Sequence, residues 1–292
     1  MSVRAATRED YGAIVDVFRA ADEAASGRPS TIDEDSVDGW LQTLPLETNT
    51  WLIEEDGSVV AAAFAQAFGE RGNSAGVVRP SARGRGLGTR LVELFEARLA
   101  ADGARRIHTW TVAGDGGADE LFRARGYREA RRFWDMTIEL EGEVPEPPAA
   151  VEPFREEDAV DFHAALEESF ADHWEHQPES FEHWWARQRR RTNFDPTLWF
   201  VIRDGDEIAA VARNELRVLG GWVGALGVRR AWRGRGYGRA LLLHSFREFR
   251  RRGMTRATLG VDAANATGAT RLYESVGMCV EQENVVWEKV LE

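Results

Sequence analysis

Apolar positions along this chain recur with two different periods. Leu87, Leu91, Leu94, Phe95 and Leu99 fall at i, i+4, i+7, i+8 and i+12, the stripe of a helix that buries one face. Leu242, Phe246 and Phe249 repeat that spacing at i, i+4 and i+7. Gly103 and Gly253 follow the two stripes, where a left-handed residue ends a helix. Shorter apolar runs predict strands. Residues 51–55 and 59–65 flank Asp56-Gly57, and residues 198–203 and 207–213 flank Asp204-Gly205, so each pair predicts a hairpin with an Asp-Gly turn. Further strands are predicted over 75–78 and 106–112, and over 222–228 and 257–261, each copy ending in a short helix and closing strands.

These elements form two copies of one plan. Arg83-Gly84-Arg85-Gly86-Leu87-Gly88 matches Arg233-Gly234-Arg235-Gly236-Tyr237-Gly238 at an offset of 150, and Gly103 matches Gly253 at the same offset. Leu121-Phe122 and Gly126-Tyr127 match Leu272-Tyr273 and Gly277-Met278 at an offset of 151. Ordered landmarks at a near-constant offset imply duplication. Between the copies lies EGEVPEPPAA, rich in proline and glutamate, which predicts an unstructured linker. The expected division is residues 1–140, a linker at 141–150, and residues 151–292. The expected class is mixed α/β, with strand, glycine loop and helix as the central unit of each copy.

Composition narrows the partners. The net charge is −12, a poor match for a nucleic-acid binder, which needs a basic face. The single cysteine, Cys279, excludes an internal disulfide framework and a cysteine-rich zinc site. No apolar run approaches the length of a membrane span, and the first residues carry no signal-peptide pattern, so a cytoplasmic protein is expected.

The candidate chemistry sits in the glycine loops. Gly-x-Gly-x-Gly between a strand and a helix exposes backbone N–H groups at a helix N-terminus. Without a Cβ, phosphate oxygens can approach them, and flanking arginines add charge-assisted donors. Neither loop has the spacing of a dinucleotide fingerprint, and neither has the lysine of a nucleoside-triphosphate loop. The pattern Arg-x-x-Gly-x-Gly, together with Asn265-Ala266 leading to Leu272-Tyr273 and Gly277-Met278, resembles the GNAT superfamily of acyl-CoA-dependent N-acetyltransferases. The resemblance covers nearly the whole chain as two tandem domains and is strongest over 226–278. It implies, in each domain, a mixed and mostly antiparallel sheet flanked by helices, with acetyl-CoA as co-substrate and no metal.

The resemblance also implies roles. Leu226 and Val228 would present backbone groups to the acyl chain, and an N–H near Val228 would stabilise the oxyanion. Arg233, Arg235, Gly236, Gly238 and Arg239 would hold the pyrophosphate, Asn265 would lie beside the pantetheine, and Tyr273 would protonate the leaving thiolate. Copy one keeps Arg83, Gly86 and Gly88, but Phe122 stands where Tyr273 stands, and Asp115 lies near the Asn265 position. A phenyl ring cannot donate a proton, so copy two is expected to be catalytic and copy one degenerate.

The acceptor is expected to be a primary amine on a small molecule. Residues 152–182 contain eleven acids and one arginine, which suggests a cationic one. Glu215 is the first candidate base, followed by Asp172, Glu175 and His173. His173, His176 and His183 have weak metal spacing and are expected in a solvated lid, whose aromatic neighbours are either an acceptor wall or core. Cys279 is expected to be a buried thiol. Two other readings stand beside this one: an acyl-CoA sensor without transfer, and acetylation of the kind carried out by mycothiol synthases, whose tandem architecture is similar. The oligomeric state is left open, a homodimer included.

Overall fold

The computed structural model describes residues 2–265 and 267–291. By contact the chain divides into two compact units, residues 1–133 with 282–292, and residues 134–281. This differs from the expected boundaries, because the closing strand of each copy is assigned to the other unit.

The first unit contains β1 (Ser2–Arg4), α1 (Tyr11–Ser26), α2 (Glu34–Leu41), α3 (Leu46–Asn49), β2 (Thr50–Glu55), β3 (Ser58–Phe68), β4 (Arg71–Val78), α4 (Leu87–Ala101), β5 (Arg106–Val112) and α5 (Gly116–Ala124). Strands β1 to β4 pair antiparallel in chain order, and β4 pairs parallel with β5. Four positions of the helix stripe, Leu87, Leu91, Phe95 and Leu99, lie in the core, whereas Leu94 is half-buried and Val92 is buried in its place. Residues from 282 onward close this sheet, with Val286 opposite Trp110 and Val290 opposite Arg106 on β5. Trp287 anchors them, fully buried and stacked on Phe122 at 6.0 Å. Lys289 adds an ion pair to Glu96 at 2.9 Å.

The second unit opens with residues 134–139, the end of β6 (Arg128–Glu139), and continues with β7 (Glu152–Pro153), α6 (Ala159–Phe170), α7 (Phe181–Arg189), β8 (Trp199–Asp204), β9 (Glu207–Arg217), β10 (Gly220–Val228), α8 (Tyr237–Arg251), β11 (Arg256–Asp262) and α9 (Ala269–Ser275). β12 (Cys279–Val290) begins here, and its residues from 282 belong to the first unit. Strands β7 to β10 are antiparallel and β10 runs parallel to β11, beside which β6 lies. Leu140 donates its N–H to Thr255 O at 2.6 Å, and Thr137 meets Thr258 at 3.0 Å.

The segment 141–150 forms no helix or strand, in line with its prolines, yet Val144 is buried in the core of this unit. The aromatic cluster is also core: Phe162, Trp184 and Trp199 are buried and form an interlocking set of rings with Phe154 and Trp185. Cys279 is exposed on β12, not buried. Among the described residues no helix is long and apolar enough to cross a membrane.

Candidate active site

In each unit the parallel strand pair separates. In the second, β10 and β11 are in register at Gly221–Ala257 and Trp222–Thr258, whereas the strands continue to Val228 and Asp262. Leu226 and Val228 pair with Ala212 and Ala210 of β9 on one edge. Their other edge, past the last β11 pair, is open to hydrogen-bond an extended ligand. The first unit repeats this: β4 and β5 pair from Arg71–Arg106 to Ser74–Thr109 and then diverge. The second unit adds a bulge on β10 between Val223 and Ala225.

The glycine loops follow these strands. Gly234 and Gly236 have φ of 78° and 80°, and Gly84 and Gly86 have 74° and 78°, a backbone that L side chains resist. Each second glycine caps a 15-residue helix, α8 or α4. The first intrahelical bonds are Ala240 N to Gly236 O and Arg90 N to Gly86 O. The N–H groups of Tyr237, Gly238 and Arg239 therefore precede the helical ladder and point out of its N-terminus, as do those of Leu87, Gly88 and Thr89. That donor set fits a diphosphate. Gly238 also allows close packing, because a Cβ there would lie 2.8 Å from Leu272 on α9.

The loop arginines have local partners. Arg233 donates to Val228 O at 3.2 Å and Ser169 O at 3.4 Å, Arg235 pairs with Asp204 at 3.0 Å, and Arg239 donates to Ser275 O at 2.9 Å. In the first unit Arg83, the counterpart of Arg233, is bound to Asp115 at 3.1 Å, and Arg85 pairs with Glu55.

Tyr273 lies on α9, 8% exposed, within the core cluster that includes Leu259 and Met278. Burial raises its hydroxyl to about 12, so it stays protonated at neutral pH. Its counterpart Phe122 is packed between Trp287 and Tyr127. Asn265 accepts the N–H of Thr267 at 2.8 Å through its side-chain oxygen, which leaves the amide NH₂ pointing elsewhere. Ala266 of the same motif lies outside the described residues.

The candidate bases divide. Glu215 lies within β9, which continues to Arg217, and is 4% exposed. It is bound by Arg191 at 2.7 Å, Arg217 at 2.7 Å and Arg213 at 3.5 Å. Burial alone would raise its pKa, but the arginines overcome this and hold the carboxyl below the ordinary range. A carboxylate so stabilised is a weak proton acceptor. Asp172 pairs with Arg230 at 2.5 Å, which also lowers it. His173 packs on Phe170 with ring centroids 4.4 Å apart, and burial lowers its pKa, which favours the neutral imidazole. Glu175 adopts a left-handed backbone, φ 57°.

The acids of 152–182 are largely spoken for. Asp158 pairs with Arg203 at 2.5 Å, Glu168 with Arg229 at 2.6 Å, and Glu179 with Arg187 at 2.6 Å. His176 meets Glu167 at 3.2 Å and His183 meets Glu179 at 2.9 Å. The charge count of that segment therefore does not describe its surroundings, because arginines of α7, of β8 and of the turn after β10 pair with its acids. Sequence reading also passed over Arg213, Arg217 and Trp222. Their signal was present in the alternation Arg213, Glu215, Arg217, which places three charges on one face of a strand.

Two copies of a splayed parallel strand pair, each followed by a helix N-terminus whose free N–H groups suit a diphosphate, fit an acyl-CoA-dependent transferase. The Acetyltransferase (GNAT) family model matches residues 14–127 and 159–278, and the chain belongs to that family, whose members use acetyl-CoA. A mycothiol acetyltransferase of Thermobispora bispora is 30% identical over 95% of this chain and 96% of its own length. A GCN5-related N-acetyltransferase from Sphaerobacter thermophilus superposes with a TM-score of 0.84 at 30% identity, covering 99% of this chain and 95% of its own. A tandem GNAT protein from the clavulanic acid pathway has the same fold, with a TM-score of 0.73 at 16% identity, covering 99% and 98%.

Proposed function

We propose that the chain transfers an acetyl group from acetyl-CoA to a primary amine of a small molecule, and that the second unit does this work. The observation that carries the division is the contrast of Tyr273 with Phe122 behind two equally formed glycine loops. In this reading the N–H groups of Tyr237, Gly238 and Arg239 hold the diphosphate, with Arg233 and Arg235 turning toward it. The open edge of β10, including Leu226 and Val228, takes the pantetheine, and Asn265 offers its amide NH₂ beside it. Acetyl-CoA supplies the activated thioester. The amine nitrogen bonds to the acetyl carbon as the carbon–sulfur bond breaks. Tyr273 gives its proton to the sulfur, and the proton of the amine leaves through the neutral His173, directly or by water. Glu215 is an ion-pair anchor in this account and not the base.

In the first unit Asp115 occupies the guanidinium of Arg83, and an anion there opposes a phosphate ligand. We assign this unit a structural or regulatory role.

Calorimetric titration of acetyl-CoA, followed by turnover with an amine panel, tests the reading. About one site per chain and CoA release with at least one amine are expected. Binding without release would make the protein an acyl-CoA sensor. The acceptor named by the mycothiol acetyltransferase relatives belongs in the same panel.

A further inference from the structure

A charge imbalance lies on β9, away from the glycine loop. Arg213, Glu215 and Arg217 alternate along this strand and share one face. The opposite face is shown by Asn214, which is buried and donates to Ser245 of α8 at 3.0 Å. The arginine face receives Arg191 from the segment after α7. Three guanidiniums thus converge on a single carboxylate. Among the described residues Glu215 is the only carboxylate within ion-pairing distance of any of them. Glu179 offers the cluster no negative charge, because it is already paired with Arg187.

The cluster is partly sheltered yet reachable, with side-chain exposures of 21% for Arg191, 16% for Arg213 and 25% for Arg217. It is also built against β10. Arg213 lies opposite Ala225, directly after the bulge, and a Cβ on Gly224 would come within 2.9 Å of its Nη2. With glycine at 224 the guanidinium lies against the bulge, and a larger residue there would push it aside. Trp222 is opposite Glu215, and the Arg217 guanidinium is stacked over its ring at 3.8 Å, which fixes its orientation. Burial lowers the Arg213 pKa to about 10, with Glu215 opposing the shift and the neighbouring arginines adding to it. Like charges held this close in partial burial repel one another, and a bound anion relieves that repulsion.

We propose that Arg191, Arg213 and Arg217 form an anion subsite for the acceptor, which is therefore an amine that also carries a carboxylate or a phosphate. This rests on the reading of the second unit as an acetyltransferase. The strand places the subsite at the end of β10 where β11 is still paired, and the open edge assigned to pantetheine starts beyond it. An acceptor anchored here presents its amine toward the bulge. Guanidinium forks bind both anions with paired, charge-assisted hydrogen bonds, and neutral amines gain nothing from them.

The test separates the subsite from the chemistry. Inorganic phosphate is titrated into the full chain by calorimetry while saturating CoA keeps the diphosphate loop filled. One phosphate site is expected, weakened about tenfold or more in Arg191→Gln, which loses one of three charged donors. No phosphate binding under CoA, or equal binding by the variant, overturns the subsite whatever the activity. In turnover, glucosamine 6-phosphate is compared with glucosamine, and alanine with ethylamine, so that one member of each pair lacks the anion. The anionic member of at least one pair is expected to have a kcat/KM about tenfold or more higher, and Arg191→Gln to lower the ratio of the two kcat/KM values toward one. Preference for the uncharged or cationic members overturns the acceptor class. Phosphate binding without turnover of any amine would instead count against the transferase reading and leave the subsite standing.

Discussion

Replacing Tyr273 by Phe separates a catalytic hydroxyl from a packed ring. The ring is buried in the core of the second unit, and among the described residues no hydrogen bond holds its hydroxyl. Tyr273→Phe therefore keeps the packing and removes a polar atom that gains nothing from its burial. Stability at neutral pH should change by about 1 kcal/mol or less, in the stabilising direction if in either. Activity should fall about 10²–10⁴-fold, the usual worth of a positioned acid, with little change in acetyl-CoA affinity. The same residue predicts an alkaline signature. Its pKa is raised from 10.0 to about 12, so the folded state holds the proton more tightly than the unfolded chain. The associated stability is fully present below pH 10 and is lost as pH rises toward 12, a loss of about 3 kcal/mol in the wild type that the Phe variant lacks. Turnover is followed by loss of thioester absorbance, because the exposed Cys279 would react with thiol dyes. Stability is followed by denaturant titration at several pH values. Unchanged kcat would refute the acid role. A Phe variant that lost several kcal/mol at neutral pH would show that the hydroxyl is a structural group and that the reasoning from its surroundings is mistaken.

Three further outcomes are expected. Gly236→Ala and Gly86→Ala place the same strain on the two loops, each with a left-handed φ and open space at the Cβ, so each should cost about 1–2 kcal/mol of stability, but only Gly236→Ala should raise KM for acetyl-CoA. Asp115→Asn keeps the cap on α5, where the side chain accepts from Ala118, and frees Arg83; calorimetry should then show acetyl-CoA affinity gained by the first unit, and an unchanged stoichiometry would sever that link. Gly221→Ala drives a Cβ to 2.3 Å from the buried ring of Phe249 and should destabilise the second unit by about 1–3 kcal/mol or more, read as an earlier melting transition.

The sequence by itself determined the duplication, the element order, the two glycine loops and the contrast of Tyr273 with Phe122. These are local properties: a stripe of leucines, a glycine at a left-handed position or a hydroxyl on a ring keeps its meaning without knowledge of its neighbours. Residues 87–101 form the helix their spacing required, and Gly103 follows it with φ 85°. Only the tertiary structure decided matters of pairing. The sequence closes each copy with its own last strand, whereas Trp287 packs on Phe122 and residues 282–292 complete the first unit. An alternating apolar strand fits any open sheet edge of the right register, so its destination cannot be read from the strand. Charge behaved likewise. Eleven acids in 152–182 suggested a cationic acceptor, but arginines more than 40 positions later neutralise Asp158, Glu168 and Asp172. Glu215 was singled out as a base without its three arginines, one of which, Arg191, lies 24 positions away. A carboxylate's chemistry is set by the charges within a few ångströms, and the fold alone decides which those are.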